Sequence, residues 1–224
     1  MTDYRHEWKH VITPAHRLVL RQRLRAVAKP DSHAVNGRYH IRSLYFDDLN
    51  DTALQEKLNG VSRREKFRLR CYGLDFSLIH LEKKSKISGL GRKETCTITQ
   101  EEVRAILAGD TDWMANDDRP LVRELYVKMR GQGLRSKTIV DYLREPFVFG
   151  PGNVRVTLDY DIRTGLQSTA FLDPHCPTVP VPDDPIILEV KWDGFLPDII
   201  RDAIQLDGVR TSAFSKYAAC RMYD

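Results

Sequence analysis

The stretch R64-E-K-F-R-L-R-C-Y72 reads as a β-strand with two unlike faces. Successive side chains on a strand point to opposite sides, so Lys66, Arg68 and Arg70 share one face while Phe67, Leu69 and Cys71 share the other. A charged face on a strand is most often a wet one. The same alternation recurs, however, along the chain. Glu82 and Lys84 share a face with His80; Tyr142 shares one with Arg144; Glu189 and Lys191 oppose Leu188, Val190 and Trp192; Glu7 and Lys9 repeat the pattern near the start. Val154, Val156, Leu158, Tyr160 and Ile162 form one face of a further strand, and Arg155, Thr157, Asp159, Asp161 and Arg163 the other.

The strands are expected at Glu7 to Ile12, Arg38 to Asp47, Arg64 to Tyr72, Ser77 to Lys84, Arg92 to Ile98, Thr138 to Phe149, Val154 to Arg163 and Ile186 to Trp192. Helices are expected from Pro14 to about Ala28, over Asn50 to Leu58, from Thr99 to about Ala108 behind a capping box, over Pro120 to Arg130, Leu196 to Leu206 and Thr211 to Met222. The proline-rich segment DPHCPTVPVPDD (Asp173 to Asp184) is an irregular loop. These helices are amphipathic and need an apolar surface to cover. If the strands close into one antiparallel barrel with charged faces inward, their outer faces supply that surface. The expectation is an α+β fold, one domain over residues 1–224, with helices outside an eight-stranded antiparallel β-barrel.

An interior lined by like charges repels itself unless a counter-charge enters. Arginine forks and lysine ammonium groups suit phosphate oxygens. Carboxylates among them suit a hard cation, Mg²⁺ or Mn²⁺, that bridges carboxylate and phosphate. A phosphate chain with a metal uses both signs.

Composition excludes several alternatives. The 224 residues carry 35 basic and 31 acidic side chains, a net charge of +4. That balance, with no aromatic stacking platform, argues against nucleic acid as a partner. The first ten residues lack the apolar stretch of a signal peptide, and no run is long enough to span a membrane. Cys71, Cys96, Cys176 and Cys220 are scattered, as in reduced cytoplasmic proteins. The seven histidines show no zinc spacing. The stripe Arg17, Arg21 and Arg25, extended by Arg23 and Lys29, reads first as a solvated helix face and second as a dock for an anionic partner.

The ordered segments RSLYFDD (Arg42 to Asp48), EKLNG (Glu56 to Gly60), REKFRLRCYG (Arg64 to Gly73), HLEKKSK (His80 to Lys86), VDYLREPF (Val140 to Phe147), VRVTLDYDIR (Val154 to Arg163), ILEVKW (Ile187 to Trp192) and AFSKY (Ala213 to Tyr217) resemble the polyphosphate polymerase domain of the vacuolar transporter chaperone (VTC) family. That family belongs to the triphosphate tunnel metalloenzymes, with the CYTH phosphatases and cyclases. The resemblance implies a tunnel that takes ATP or another nucleoside triphosphate together with inorganic polyphosphate. It implies catalytic roles for Arg68, Arg70, Lys84, Arg144 and Lys216, and phosphate-binding roles for Lys9, Lys66, Tyr142, Arg155, Lys191 and Ser215. It makes Glu189 the principal ligand of Mn²⁺ or Mg²⁺, with Glu82, Asp159 and Glu7 as further candidates. Ser215 and Lys216, near the start of the last helix, are expected to help hold phosphate at one tunnel mouth.

The CYTH enzymes open with an ExExK signature, where this chain has only Glu7-Trp8-Lys9, which fits the polymerase branch. Ala213 stands where the eukaryotic polymerases are expected to have a lysine. The phosphate-sensing and membrane segments of the eukaryotic complex are absent from these residues, so export would require a membrane-associated partner protein. A triphosphatase or polyphosphatase of the same fold, and a non-catalytic polyphosphate binder, are the alternatives.

Overall fold

The charged faces turn inward. A computed structural model describes residues 5–88 and 90–222. The strands are β1 (His6–Ile12), β2 (Lys29–Pro30), β3 (Tyr39–Asp47), β4 (Arg64–Tyr72), β5 (Asp75–Ile87), β6 (Leu90–Ile98), β7 (Arg135–Phe149), β8 (Val154–Thr164), β9 (Val179–Pro180) and β10 (Ile186–Trp192). Eight of them form an antiparallel sheet in the order β1-β10-β8-β7-β3-β4-β5-β6; β2 and β9 are short additions to β7 and β8. The sheet curls until its edges meet, where Arg5 bridges to Gly91 and Lys84 on β5 reaches Glu7 on β1 at 3.1 Å. Curling lets one surface be wholly inward and the other wholly outward.

The outward surface is apolar, and helices cover it. On one side Leu44, Phe67, Leu69, Ile79 and Leu81 pack against α3 (Gln100–Ala108) and α4 (Pro120–Gln132), through Val103, Ile106, Val122 and Leu125. Thr99 opens α3 with the expected reciprocal capping box to Glu102. On the other side Val156, Leu158, Leu188 and Val190 pack against Leu20 and Leu24 of α1 (Pro14–Val27) and Ile200 of α5 (Asp198–Ile204). Each fully buried leucine contributes about 1.5–3 kcal/mol of apolar transfer. No helix among the described residues is long and apolar enough to cross a membrane.

Three expectations need correction. First, the face assigned along β8 breaks at Asp161, whose φ of +48° marks a bulge where the pairing to β7 shifts. Leu158 and Tyr160 pack outside, but Ile162 turns into the barrel beside Tyr142 and Ile187. Asp161 and Arg163 are thereby removed from the charged interior; Arg163 donates instead to Thr178. A bulged residue occupies one extra position without a partner and so inverts the alternation beyond it.

Second, the arginine stripe on α1 is a solvated face only in part: Arg23, Arg25 and Lys29 are exposed, whereas Arg17 and Arg21 are half-buried. Arg17 and Arg21 both bond the carboxylate of Glu145 on β7, which is 5% exposed, and the Arg17 guanidinium lies 3.3 Å above the Tyr160 ring. The pair fixes the helix to the barrel wall. Arg23 donates to the Gln205 carbonyl.

Third, the last helix is much shorter than Thr211 to Met222. Helix α6 covers only Lys216–Cys220. The preceding residues run extended because the edge of β1 offers a backbone partner: the Ser212 amide donates to the Lys9 carbonyl at 2.7 Å. Ser215 caps α6 by accepting from the Ala218 amide. Tyr217 then inserts into the barrel, stacks on Tyr45 at 4.9 Å, and donates to Asp47. With Ile41, Val140, Ile162 and Ile187 it forms an apolar plug inside an otherwise charged interior.

Candidate functional site

Beside the plug lies a cavity of about 400 Å³, lined along the inward face of β4 from Arg64 to Tyr72. At about 3.3 Å per residue, that is roughly 26 Å of strand. Register fixes which charges meet across it. On β1 and β10, Glu7 stands opposite Lys191 and Lys9 opposite Glu189, a square of alternating charge. Directly opposed side chains on antiparallel strands are near neighbours, and here Lys9 Nζ lies 3.5 Å from Glu7 and 3.3 Å from Glu189. Lys191 contacts the same two carboxylates. On its other flank Glu189 neighbours Thr157 of β8, whose buried hydroxyl has no hydrogen-bond partner.

Two further acids are held differently. Asp159 is fully buried; the Arg144 guanidinium donates to both its oxygens at 2.6 Å, and Lys216 Nζ adds a third bond at 2.6 Å. Glu82 accepts from Arg68 at 2.8 Å and from Lys93 at 3.1 Å, with Arg70 3.6 Å away. Arg144 grips Asp159 bidentately and Arg68 directs two nitrogens at one oxygen of Glu82, so both pairs fix arginine orientation as well as neutralising charge. Tyr45 and Tyr142 complete the arrangement: the Tyr45 hydroxyl accepts from Arg68 at 2.7 Å and the Tyr142 hydroxyl from Arg70 at 3.1 Å.

The charge balance is uneven. Glu82 and Glu189 are held far below the usual carboxylate range: burial opposes this, but Arg68 and Arg70 prevail at Glu82, and Lys191 and Lys9 at Glu189. Glu7 is lowered to about 2, since Lys9, Lys84 and Lys191 outweigh burial and the nearby Glu189. Lys9 is raised above its ordinary value, since Glu189 and Glu7 outweigh burial, but two other lysines tell the opposite story. Burial pushes Lys66 down to about 8, with Lys9 and Arg68 adding to it against the pull of Tyr45. Burial and the Lys9 charge push Lys84 down to about 7, even beside Glu7. Burial would raise Tyr45, yet Arg68, Lys66 and Arg70 outweigh it and bring the phenol down to about 7. A lysine lowered this far lacks an adequate anion. The tunnel is short of negative charge.

All eleven side chains expected to act on phosphate line this cavity: Lys9, Lys66, Arg68, Arg70, Lys84, Tyr142, Arg144, Arg155, Lys191, Ser215 and Lys216. Arg155 sits at its margin and also bonds Asp31 at 2.8 Å. The four acids expected to bind metal do not converge. Glu7 and Glu189 line the cavity, whereas Glu82 and Asp159 lie behind the arginines that bind them. Among the described residues no three histidine, cysteine, aspartate or glutamate side chains form a ready metal cluster. Mg²⁺ and Mn²⁺ are hard cations suited to oxygen ligands, and Mg²⁺ takes one or two carboxylates and completes its shell with water and substrate phosphate. Glu7 and Glu189, with the unpartnered Thr157 hydroxyl beside them, fit a site of that kind.

Sequence reasoning missed Arg5, Tyr45, Lys57, Arg64, Lys86 and Lys93, which also line the cavity. Arg64 and Lys86 extend the faces of Lys66 and Lys84 by two positions, so the alternation contained them. Lys57 had no such signal. It stands on helix α2 (Thr52–Leu58), donates to the Ala213 carbonyl, and so brings a cation beside the residue where a lysine was expected.

Comparison with known proteins agrees with this geometry. The VTC domain family matches residues 4–223. Among solved structures, a protein provisionally assigned as an adenylate cyclase from Bacillus halodurans superposes with a TM-score of 0.53 at 11% identity, covering 85% of this chain and 82% of its own. The PH1819 protein from Pyrococcus horikoshii OT3 is more distant, with a TM-score of 0.44 at 13% identity over 90% of this chain and 84% of its own. The first likeness shows the curled antiparallel fold. No curated protein matches the chain.

Proposed function

The chain belongs to the VTC domain family, and from that premise we propose that its tunnel is a metal-dependent polyphosphate polymerase site, which moves the γ-phosphate of a nucleoside triphosphate onto a polyphosphate chain. The observation that carries this reading is the anion deficit of the cavity lining, where 15 lysines and arginines face only three glutamates among the described residues, Glu7, Glu65 and Glu189. A triphosphate supplies the missing charge, and arginines already oriented by Glu82 and Asp159 need little rearrangement to receive it.

Phosphoryl transfer demands chiefly positioning and charge stabilisation. Arg68, Arg70, Lys84 and Arg144 would clamp the phosphates, while Lys9, Lys191 and Lys216 would hold their outer oxygens. An oxygen of the chain's terminal phosphate attacks the γ-phosphorus. The bond from that phosphorus to the β–γ bridging oxygen breaks, and the nucleoside diphosphate leaves with the electron pair. The chain is longer by one phosphate. Glu7 and Glu189 are the residues that would hold Mn²⁺ or Mg²⁺, which when bound neutralises phosphate oxygens as charge develops. No covalent nucleophile is needed.

Incubation of the pure chain with ATP and Mn²⁺ tests the reading. Long acid-stable polyphosphate, formed with one nucleoside diphosphate per phosphate added, is expected. Release of free phosphate alone would replace polymerase by triphosphatase. Tight polyphosphate binding with no ATP consumed across several metals would leave a binding module.

A further inference from the structure

Tyr45 and Tyr217 stack inside the barrel, yet their hydroxyls are in opposite states. Tyr217 uses both functions of its hydroxyl: it donates to Asp47 at 2.7 Å and accepts from Arg221 at 2.9 Å. Tyr45 uses one. Its hydroxyl accepts from Arg68 at 2.7 Å, and among the described residues no acceptor bonds its own O–H. The side chain is 4% exposed and lines the tunnel cavity. It faces Lys66, Arg68 and Arg70 on β4, stands opposite Thr138 on β7 and meets Tyr217 from α6.

The fold has little use for that hydroxyl. Stacking on Tyr217 requires the ring alone. Arg68 is oriented without it, because two guanidinium nitrogens lie 2.8 and 2.6 Å from one oxygen of Glu82. A phenylalanine would serve both ends, and a buried donor left unused costs free energy. What the position keeps is an O–H beside an arginine, on a cavity short of anions. We infer that Tyr45 is a further phosphate-binding residue, whose O–H donates to a phosphate oxygen held beside Arg68. The inference rests on the tunnel being the phosphate site. This donor also depends on pH. Burial would raise the phenol, but Arg68, Lys66 and Arg70 bring it down to about 7, so in more alkaline solution the ligand-free residue has given up its proton. An incoming polyanion offsets those cations, and the proton returns as phosphate binds.

Calorimetric titration of inorganic tripolyphosphate into the full chain and into Tyr45→Phe tests this, with urea unfolding as the check that the variant folds. At about pH 6.5, where the phenol keeps its proton, the variant binds about tenfold more weakly, as loss of one hydrogen bond to a charged group implies. At about pH 9 the parent must first take up a proton that the variant does not need, so the gap falls below about threefold or reverses. A loss of equal size at both pH values would mean that the hydroxyl acts only through Arg68, and no loss at the lower pH would mean that it does not act; either overturns the inference. A second measurement needs no variant. At about pH 8.5, tripolyphosphate added to the parent returns one tyrosinate to phenol, read as lost near-ultraviolet absorbance; unchanged absorbance on binding also overturns it. A parent that binds no tripolyphosphate at either pH overturns the tunnel reading as well, whereas a parent that binds and a variant that matches it overturn the role of Tyr45 alone.

Discussion

The depth of the tunnel and its margin near α2 contain the same kinds of side chain in opposite states. In the depth, Arg144 and Lys216 converge on Asp159, and Arg68 and Lys93 on Glu82, so each buried acid is saturated. At the margin Lys57, Arg64 and Lys86 also line a second, open cavity beside α2 and α6, whose described lining holds no carboxylate. The depth is built to hold cations in fixed orientation before a ligand arrives; the margin is built to draw one in. Internal acids thus serve the architecture first, and of the four expected to bind metal Glu7 and Glu189 alone line the open cavity.

The contrast breaks most readily at Asp159. Asp159→Asn leaves Arg144 and Lys216 buried without their anion, and loss of one member of such a group costs about 3–5 kcal/mol; urea unfolding should show it. A variant as stable as the parent would mean that the depth is not organised by its acids. Glu189→Gln is expected to lower ATP turnover by about a hundredfold or more, with tripolyphosphate affinity retained, since a metal ligand is lost but the arginine clamp remains. Full activity would remove Glu189 from metal binding.

At the margin, Lys86→Ala should leave stability within about 0.5 kcal/mol. It should weaken polyphosphate binding about threefold at low salt and not detectably at 1 M, where screening acts within about 3 Å. An effect unchanged by salt would show that Lys86 makes a fixed contact and does not act by attraction.

Titration sharpens the same contrast. In the ligand-free fold Lys66, Lys84 and Tyr45 sit at about 8, 7 and 7, below their ordinary values of 10.5, 10.5 and 10.0. From about pH 7 to 10 the unfolded chain therefore binds more protons than the folded one, so these groups make ligand-free stability rise with pH. Phosphate requires the lysines charged, so tripolyphosphate affinity falls over the same window and binding takes up protons. Glu7, lowered to about 2, acts at the other extreme: its contribution is present above pH 4.5 and is lost as pH falls towards 2. Affinity that rises from pH 7 to 9 would contradict the account of Lys66 and Lys84.

Much of the tunnel was legible because alternation is local. Lys66, Arg68 and Arg70 opposite Phe67 and Leu69 specify two faces wherever the strand lies, and the need of amphipathic helices for cover says which face is outward. What was not legible depends on long-range partners. Nothing near Asp161 in sequence announces the left-handed residue that turns Ile162 inward. The α1 arginines could not be told from a wet stripe until Glu145, more than a hundred residues away, was placed beneath them. The segment before Ser215 lost its helix to a bond with Lys9. The separation of Glu7 and Glu189 from Glu82 and Asp159 is likewise a matter of which cation reaches which acid across the barrel.

The most direct test of the central claim is a crystal structure of the chain with inorganic tripolyphosphate and Mn²⁺. The account predicts phosphates inside the barrel, on Arg68, Arg70, Lys84 and Arg144, with the metal at Glu7 and Glu189. Phosphates bound on the outer surface, with the tunnel's ion pairs undisturbed, would contradict it.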